Sequence, residues 1–558
     1  WFPAWHSRLP SLLKTPEKLP PAKESDDGRE WLHLGYLVIV VCLVARWLYI
    51  RSGAIELSGD EAYQWTWSKH LALSYFSKPA GIACLQKFGT WIGGDTDFGV
   101  RFCSPLLAAI LGWLVLRFLA READPRTAFW SLLATLAVPL LCVGSVLMTI
   151  DPPLVLCWVW ATLAGWRALR PEATTRDWLW VGLAMGLGFL FKPMAAAQIA
   201  CWAIFFALAA DYRSQLKKPG PWLALAVIGI CSLPVLIWNA QHGWVMLGHI
   251  GGNAGLDKKW EPTLRFFGEF IGAEVGLLNP VLFLAVLWAS IAFWRRRREK
   301  PLWLYLACMG APLFYGCWLW SLHSRVQPNQ CVAAIVPMFC LGILYWREST
   351  RAAKFILAGG FLIGIPMVLF LHSSSITKVI VGAKLPGDVD ISHRLRGWKE
   401  AATTVEQVRQ EFDPAAFVIA DNYGDTGLLS IYSPPARQAV STDQPLVYCV
   451  RGDRISSQFY LWDQYDYQKH RVGQNAIYVD HLEYYKLEKG WIGKWLHHQP
   501  LSYRDVPAPE APPKFLTDGF ESVTNLGIRE IKLSDGRVFH RLQIFGCRGL
   551  KARAAAAP

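Results

Sequence analysis

Apolar residues in this chain fall in long blocks, and the charged residues gather in the gaps between them. A helix needs about 20 mostly apolar residues to cross a bilayer, with roughly 17–25 as the working range. Such blocks lie at about 32–50, 102–120, 128–147, 153–169, 178–191, 194–210, 222–238, 278–294, 302–320, 330–346 and 354–371. The break between 178–191 and 194–210 is set at Lys192-Pro193, because proline and charge both interrupt a spanning helix. Basic residues come in short bursts: Arg121 and Arg126, Arg167 to Arg176, Arg213 to Lys218, Arg295 to Arg298, and Arg347 to Lys354. Eleven spans put all five bursts on one side, which the positive-inside rule makes the cytoplasm. The N-terminus then lies inside, and everything after about residue 372 lies outside.

Beyond residue 372 the pattern changes. Residues 393–412 carry Trp398, Ala401, Val405 and Val408 on one helical stripe. Phe417 to Ala420 reads as a short strand, ended by a turn at Asp421-Asn422-Tyr423-Gly424-Asp425, and further strands are expected at 446–450, 476–480 and 540–546. The expected fold is therefore a polytopic α-helical membrane protein with about 11 transmembrane helices and a small C-terminal α/β soluble domain. Residues 1–30 form an inner segment, 31–372 the membrane domain with a first outer loop at 51–100, and 373–558 the outer domain.

Composition agrees with a bilayer as solvent: 53% of the 558 residues are hydrophobic, only 18% are charged, and mean hydropathy is +0.23. The net charge of +13 does not signal nucleic acid, because the basic residues sit in the short loops rather than on one face. Most of the 13 cysteines lie inside apolar runs, where Cys acts as a small hydrophobe. Cys449 and Cys547 alone fall in the distal part and are open to pairing. Residues 1–30 are polar and Pro-rich, without a signal-peptide core; the opening Trp1 in place of Met suggests a trimmed start.

The outer loops gather the ionisable groups. The first holds Glu56, Asp60, Glu61 and Lys78 among Tyr63, Trp65, Trp67 and Tyr75, and the second holds Thr149-Ile150-Asp151. The third is the Phe191-Lys192-Pro193 turn; the fourth, about 240–275, follows Asn239 and holds His242, His249, Glu269 and Glu274; the fifth holds His323 and Arg325. Charges at membrane depth are costly and tend to be functional. Each also has a plainer reading. Asp151 before two prolines has the form of a helix N-cap, and Lys192 could snorkel to the interface. His242 and His249 could be bystanders, Asp60-Glu61 a solvated pair, and Arg325 a surface charge. Their joint placement at one membrane face is what counts. The aromatic segments Ala62 to Trp67 and Leu71 to Phe76 are expected to lie in the interface plane as a roof over a cavity. There a carboxylate could serve as general base, while lysine and arginine hold an anionic leaving group such as phosphate. These parts suit sugar transfer from a polyprenyl phosphate donor entering from the bilayer.

Gly59-Asp60-Glu61-Ala62-Tyr63-Gln64-Trp65, followed by Ser74-Tyr75-Phe76-Ser77-Lys78-Pro79, resembles the first-loop signature of the GT-C membrane glycosyltransferases. The nearest group is the protein mannosyltransferase-like and bacterial aminoarabinose lipid A transferase superfamily (glycosyltransferase families 39 and 83). The resemblance continues through Arg101, Thr149-Ile150-Asp151, Phe191-Lys192-Pro193, Trp238-Asn239 with His249, and Arg325-Val326-Gln327-Pro328-Asn329. In the outer domain it extends to Arg394 to Trp398 and to Ser457 to Trp462. It implies inverting transfer at the periplasmic face of a bacterial inner membrane, onto a lipid A, other glycan or protein acceptor. Asp60 would be the catalytic carboxylate, with Glu61 and Asp151 in support. Lys78, Lys192, Arg325 and Arg101 would hold the donor phosphate, and Tyr63, Tyr75 and Asn239 would line the cavity. The aminoarabinose enzymes carry a Glu before the motif Lys, which joins a His in binding a divalent metal. Here Ser77 occupies that place and His249 matches the His, so the metal site is incomplete. Two other readings remain open. One is a transporter or flippase of a lipid-linked sugar, although no repeated halves are visible; the other is a non-catalytic scaffold.

Overall fold

The computed structural model describes residues 26–372, 390, 392–482 and 511–552; most of the polar N-terminal segment lies outside the described residues. Every expected apolar block forms helix. Among the described residues, five helices are long and apolar enough to cross a membrane, or up to seven when each sharply bent pair counts as one span. The count falls short of eleven because several blocks are short or broken. The 128–147 block is cut into Pro125–Thr135 and Pro139–Gly144, since Pro139 offers no N–H to continue the first piece. The 278–294 block is Pro280–Ala292, bent by 110° from Leu264–Leu277 at Asn279, whose φ is +69°. Much of the fourth outer loop is thus helical, over Val245–Ala254 and Leu264–Leu277.

Ion pairs tie the basic loops into one end of the bundle. Arg170 pairs with Glu122, Arg347 with Asp124 at 3.2 Å, and Arg296 with Glu348. The opposite end carries the first outer loop and the C-terminal unit.

Among the described residues that unit has a five-stranded sheet of β1 (Phe417–Ala420), β2 (Val447–Cys449), β3 (Ala476–His481), β4 (Phe520–Lys532) and β5 (Val538–Leu550), in the order β2-β1-β3-β5-β4. β1 runs parallel to β2 and β3, and β5 runs antiparallel to β3 and β4. The Trp398–Phe412 helix packs its predicted stripe onto the sheet. Asn422 to Asp425 is not a simple turn: Asn422 caps a helix over Tyr423–Tyr432 by accepting from the Asp425 N–H at 2.9 Å. Cys449 and Cys547 are both free and buried. They lie on β2 and β5, with β1 and β3 between them, so three strand spacings of about 4.8 Å keep the sulfurs apart.

The sheet domain does not stand alone. One apolar core joins Leu57, Ala62 and Trp65 of the first loop to Val405, Leu428 and Ile544 of the C-terminal unit. The Gly59–Lys69 helix is consequently buried over Glu61 to Ser68, sandwiched under the outer unit rather than floating in the headgroup region. The following Gly81–Gly93 helix does expose Phe88, Trp91 and Ile92, the expected face of an interfacial helix.

Candidate active site

Ser58 starts the Gly59–Lys69 helix with a capping box: its hydroxyl accepts from the Glu61 N–H, and the Glu61 carboxylate accepts from the Ser58 N–H at 3.0 Å. This points Glu61 inward, where both its oxygens meet Arg101 at 2.7 Å and Met148 N–H donates at 2.8 Å. Arg101 is fully buried and donates further to the Ile55 and Glu56 carbonyls. Two assignments need correction. Glu61 and Arg101 do not line the cavity; they form a buried pair that pins the first loop to the second membrane helix. The pairing, and several hydrogen bonds, hold the Glu61 carboxyl below its usual range despite burial.

One residue earlier on the helix, Asp60 points the other way, into a cavity of about 1890 Å³. Tyr63, Ser77, Lys78, Asp151, Lys192, His249 and Arg325 line the same cavity. It runs on between the membrane helices along apolar side chains such as Leu111, Val115, Val336 and Phe339. Burial pushes the Asp60 carboxyl above its ordinary pKa; Lys78 and the Tyr423 hydroxyl, which donates at 3.3 Å, work against that. Lys78 has no ion-pair partner among the described residues, and burial, then the nearby Lys192 charge, lower its pKa.

Asp151 opens the Asp151–Ala168 helix, yet the cap position is Ile150, so the carboxylate is not an N-cap. It sits 2.8 Å from Lys192 and accepts from Asn329 Nδ2 at 2.6 Å. Lys192 is therefore neutralised where it stands, and is no free snorkelling charge. Arg325 is largely exposed and lies 3.8 Å from Glu269. Tyr75 and Asn239 are corrections: both are buried outside the cavity wall. Tyr75 donates to the Trp67 carbonyl at 3.0 Å and stacks on Trp67, while Asn239 donates to the Val235 carbonyl at 2.9 Å.

The donor set does not suit a divalent metal. Ser77 offers no carboxylate, the His249 ring packs on Phe76 with centroids 4.7 Å apart, and His249 Nε2 lies 2.9 Å from Asn253 Nδ2. Burial, then the Lys78 charge, lower the His249 pKa, and a fixed cation there repels another. Among the described residues no group of three His, Cys, Asp or Glu side chains forms a metal cluster.

Two contacts from the outer unit were absent from the sequence reading. Tyr423 meets Asp60, and Gln458 Oε1 accepts from Phe76 N–H at 2.7 Å. The Asn422-x-x-Asp425 capping pattern was a signal for the Tyr423 helix; nothing local marked its partner 363 residues away.

Glu56 ties the same two units together, accepting from Trp398 N–H at 2.5 Å. Burial first, and only then nearby charges, raise its pKa to about 7. The folded protein thus keeps a proton that the unfolded chain has already lost. Its contribution is fully present below about pH 4.5 and is lost as pH rises through 7. Glu56→Gln keeps an acceptor for Trp398 and removes the titration. Thermal midpoints in detergent should then show a flatter decline between pH 4.5 and 7 than the parent; an identical decline in both would refute this.

A model of the dolichyl-phosphate-mannose-protein mannosyltransferase family matches residues 77–238. The lipid A galacturonosyltransferase RgtD of Rhizobium johnstonii is 28% identical over 329 residues, covering 57% of this chain and 67% of that protein. An undecaprenyl phosphate-α-4-amino-4-deoxy-L-arabinose arabinosyl transferase of Sodalis glossinidius is 31% identical over 314 residues, about half the length of each protein. The chain is thus similar in sequence to named sugar transferases, at 28–31% identity over a little more than half of its length. Its fold matches that of ArnT from Cupriavidus metallidurans, solved bound to undecaprenyl phosphate, with a TM-score of 0.57 at 15% identity, covering 95% of this chain and 99% of that one. With five to seven helices long and apolar enough to cross a bilayer among its described residues, the chain is a multi-pass membrane protein.

Proposed function

We propose that the chain transfers a sugar from a polyprenyl phosphate donor to a hydroxyl or phosphate of an envelope glycolipid such as lipid A, at the periplasmic face. The observation that carries this is the placement, in one membrane cavity, of a carboxylate that opens into it, Asp60, with an ammonium that makes no ion pair among the described residues, Lys78. The names of the similar enzymes support the donor and acceptor classes. The N-terminus is cytoplasmic, supported by the joining of the basic loops at the end opposite Asp60.

For a hydroxyl acceptor, the O–H proton passes to Asp60 as the oxygen bonds to the anomeric carbon from the face opposite the phosphate. The bond from that carbon to the phosphate oxygen breaks, its electron pair leaves on the polyprenyl phosphate, and the anomeric centre inverts. Lys78 and Arg325 stabilise the departing charge. Asp151, held by Lys192 and Asn329, keeps Lys192 in place beside them. The cations present take the role of charge acceptor, and no step passes through a metal.

Lipid A from cells with and without the protein tests this by mass spectrometry. The reading expects a new species heavier by one sugar unit, present only with the protein; identical lipid A, with other envelope glycans equally unmodified, would contradict it. Lys78→Met should cut kcat/KM by roughly 10²-fold through loss of a charge-assisted phosphate contact. An unchanged kcat/KM would remove Lys78 from the donor site.

A further inference from the structure

The outer unit touches the site at two independent points. Tyr423 donates its hydroxyl to Asp60 Oδ1 at 3.3 Å, and its ring packs on Tyr63 with centroids 4.6 Å apart. The Gln458 side chain accepts from Phe76 N–H at 2.7 Å, two residues before Lys78, while the Gln458 backbone N–H donates to the Tyr63 hydroxyl. Close approach of the two helices makes this docking possible. A Cβ on Gly427 would lie 2.6 Å from the Tyr63 nitrogen, and one on Gly59 would lie 3.1 Å from Gly424 Cα. Helix Tyr423–Tyr432 can therefore rest its backbone directly on helix Gly59–Lys69 only because those positions lack side chains.

We propose that the C-terminal unit is a working part of the catalytic centre, with Tyr423 as the positioning residue that orients Asp60 and favours its ionised form through the phenol hydrogen bond. This rests on the reading of Asp60 as general base. A domain present only to recruit acceptor would have no need to reach the base. The groups that act on Asp60 are Lys78 from the first loop, Tyr423 from the outer unit, Asp151 from the second outer loop and, from the far side of its own helix, the charge of Glu61. Of these, Tyr423 alone is a neutral donor, so removing its hydroxyl changes the carboxylate without changing the local charge.

The test uses the full-length protein with Tyr423→Phe and, separately, Gly427→Val, which leaves both Asp60 and Tyr423 intact while pushing the two helices apart. Two readouts are taken across pH: the acid limb of kcat/KM for transfer, and labelling of the Asp60 peptide by a water-soluble carbodiimide, which reacts with the protonated carboxyl. Loss of a hydrogen bond to a carboxylate should move both midpoints up by roughly one unit. On the acid limb the rate then falls about tenfold, recovering at higher pH. Midpoints unchanged in both variants would overturn the proposal, even with transfer reduced, because a merely structural domain would lower rate without moving them. A shifted labelling midpoint in a protein that transfers no sugar would instead uphold the positioning role and sink the transfer reading.

Discussion

Asp60→Asn is expected to lower sugar transfer by roughly 10²–10⁴-fold, the range for loss of a general base. Asparagine keeps the shape and can still accept from the Tyr423 hydroxyl, but it cannot take the acceptor proton. Folding should be little affected, because Asp60 opens into the cavity and makes no ion pair among the described residues. The parent's pH profile carries a second signature. Burial raises the Asp60 pKa, so the acid limb should lie above the ordinary carboxylate range and vanish in the variant. Steady-state transfer at equal expression checks both points. Full activity in Asp60→Asn would shift the base to Asp151, the remaining carboxylate that lines the cavity beside Lys78.

Arg101→Leu should fail differently. Removing one partner of a buried ion pair leaves the other charged and unpaired, at a cost of about 3–5 kcal/mol. Glu61 would be left with its full charge in a site with no water access, and the Ile55 and Glu56 carbonyls would lose their donor. The variant should therefore lose folded protein, seen as low yield and a lower thermal midpoint, before any effect on turnover can be read. The double variant Glu61→Gln with Arg101→Leu should recover part of that loss, since no unpaired charge remains. A well-folded Arg101→Leu protein with a raised donor KM would instead restore Arg101 to the phosphate site.

Much of the site was legible because its signals are local. Asp60, Lys78, Asp151 and Lys192 stood out as charges next to apolar spans, and the structure brings all four to one cavity. Glu61 was misread although its spacing from Ser58 is that of a capping box, and such a box commits the carboxylate to the helix start. Arg101 followed it, because a charge near a membrane face fits a ligand or a buried partner equally well until the fold chooses. Tyr423 and Gln458 could not be found at all, since their partners lie more than 350 residues away in sequence. Strand β4 was missed for a simpler reason. It is an edge strand, largely exposed, and its mix of polar and apolar residues gives no buried run to read.

The most direct test uses purified protein in liposomes, supplied with a polyprenyl phosphate sugar and lipid A in the same bilayer, with products followed by mass spectrometry. Glycosyl transfer predicts lipid A heavier by one sugar and an equal amount of free polyprenyl phosphate, both absent with Asp60→Asn. Unmodified lipid A, with intact donor moving from one leaflet to the other, would contradict it and make the chain a flippase.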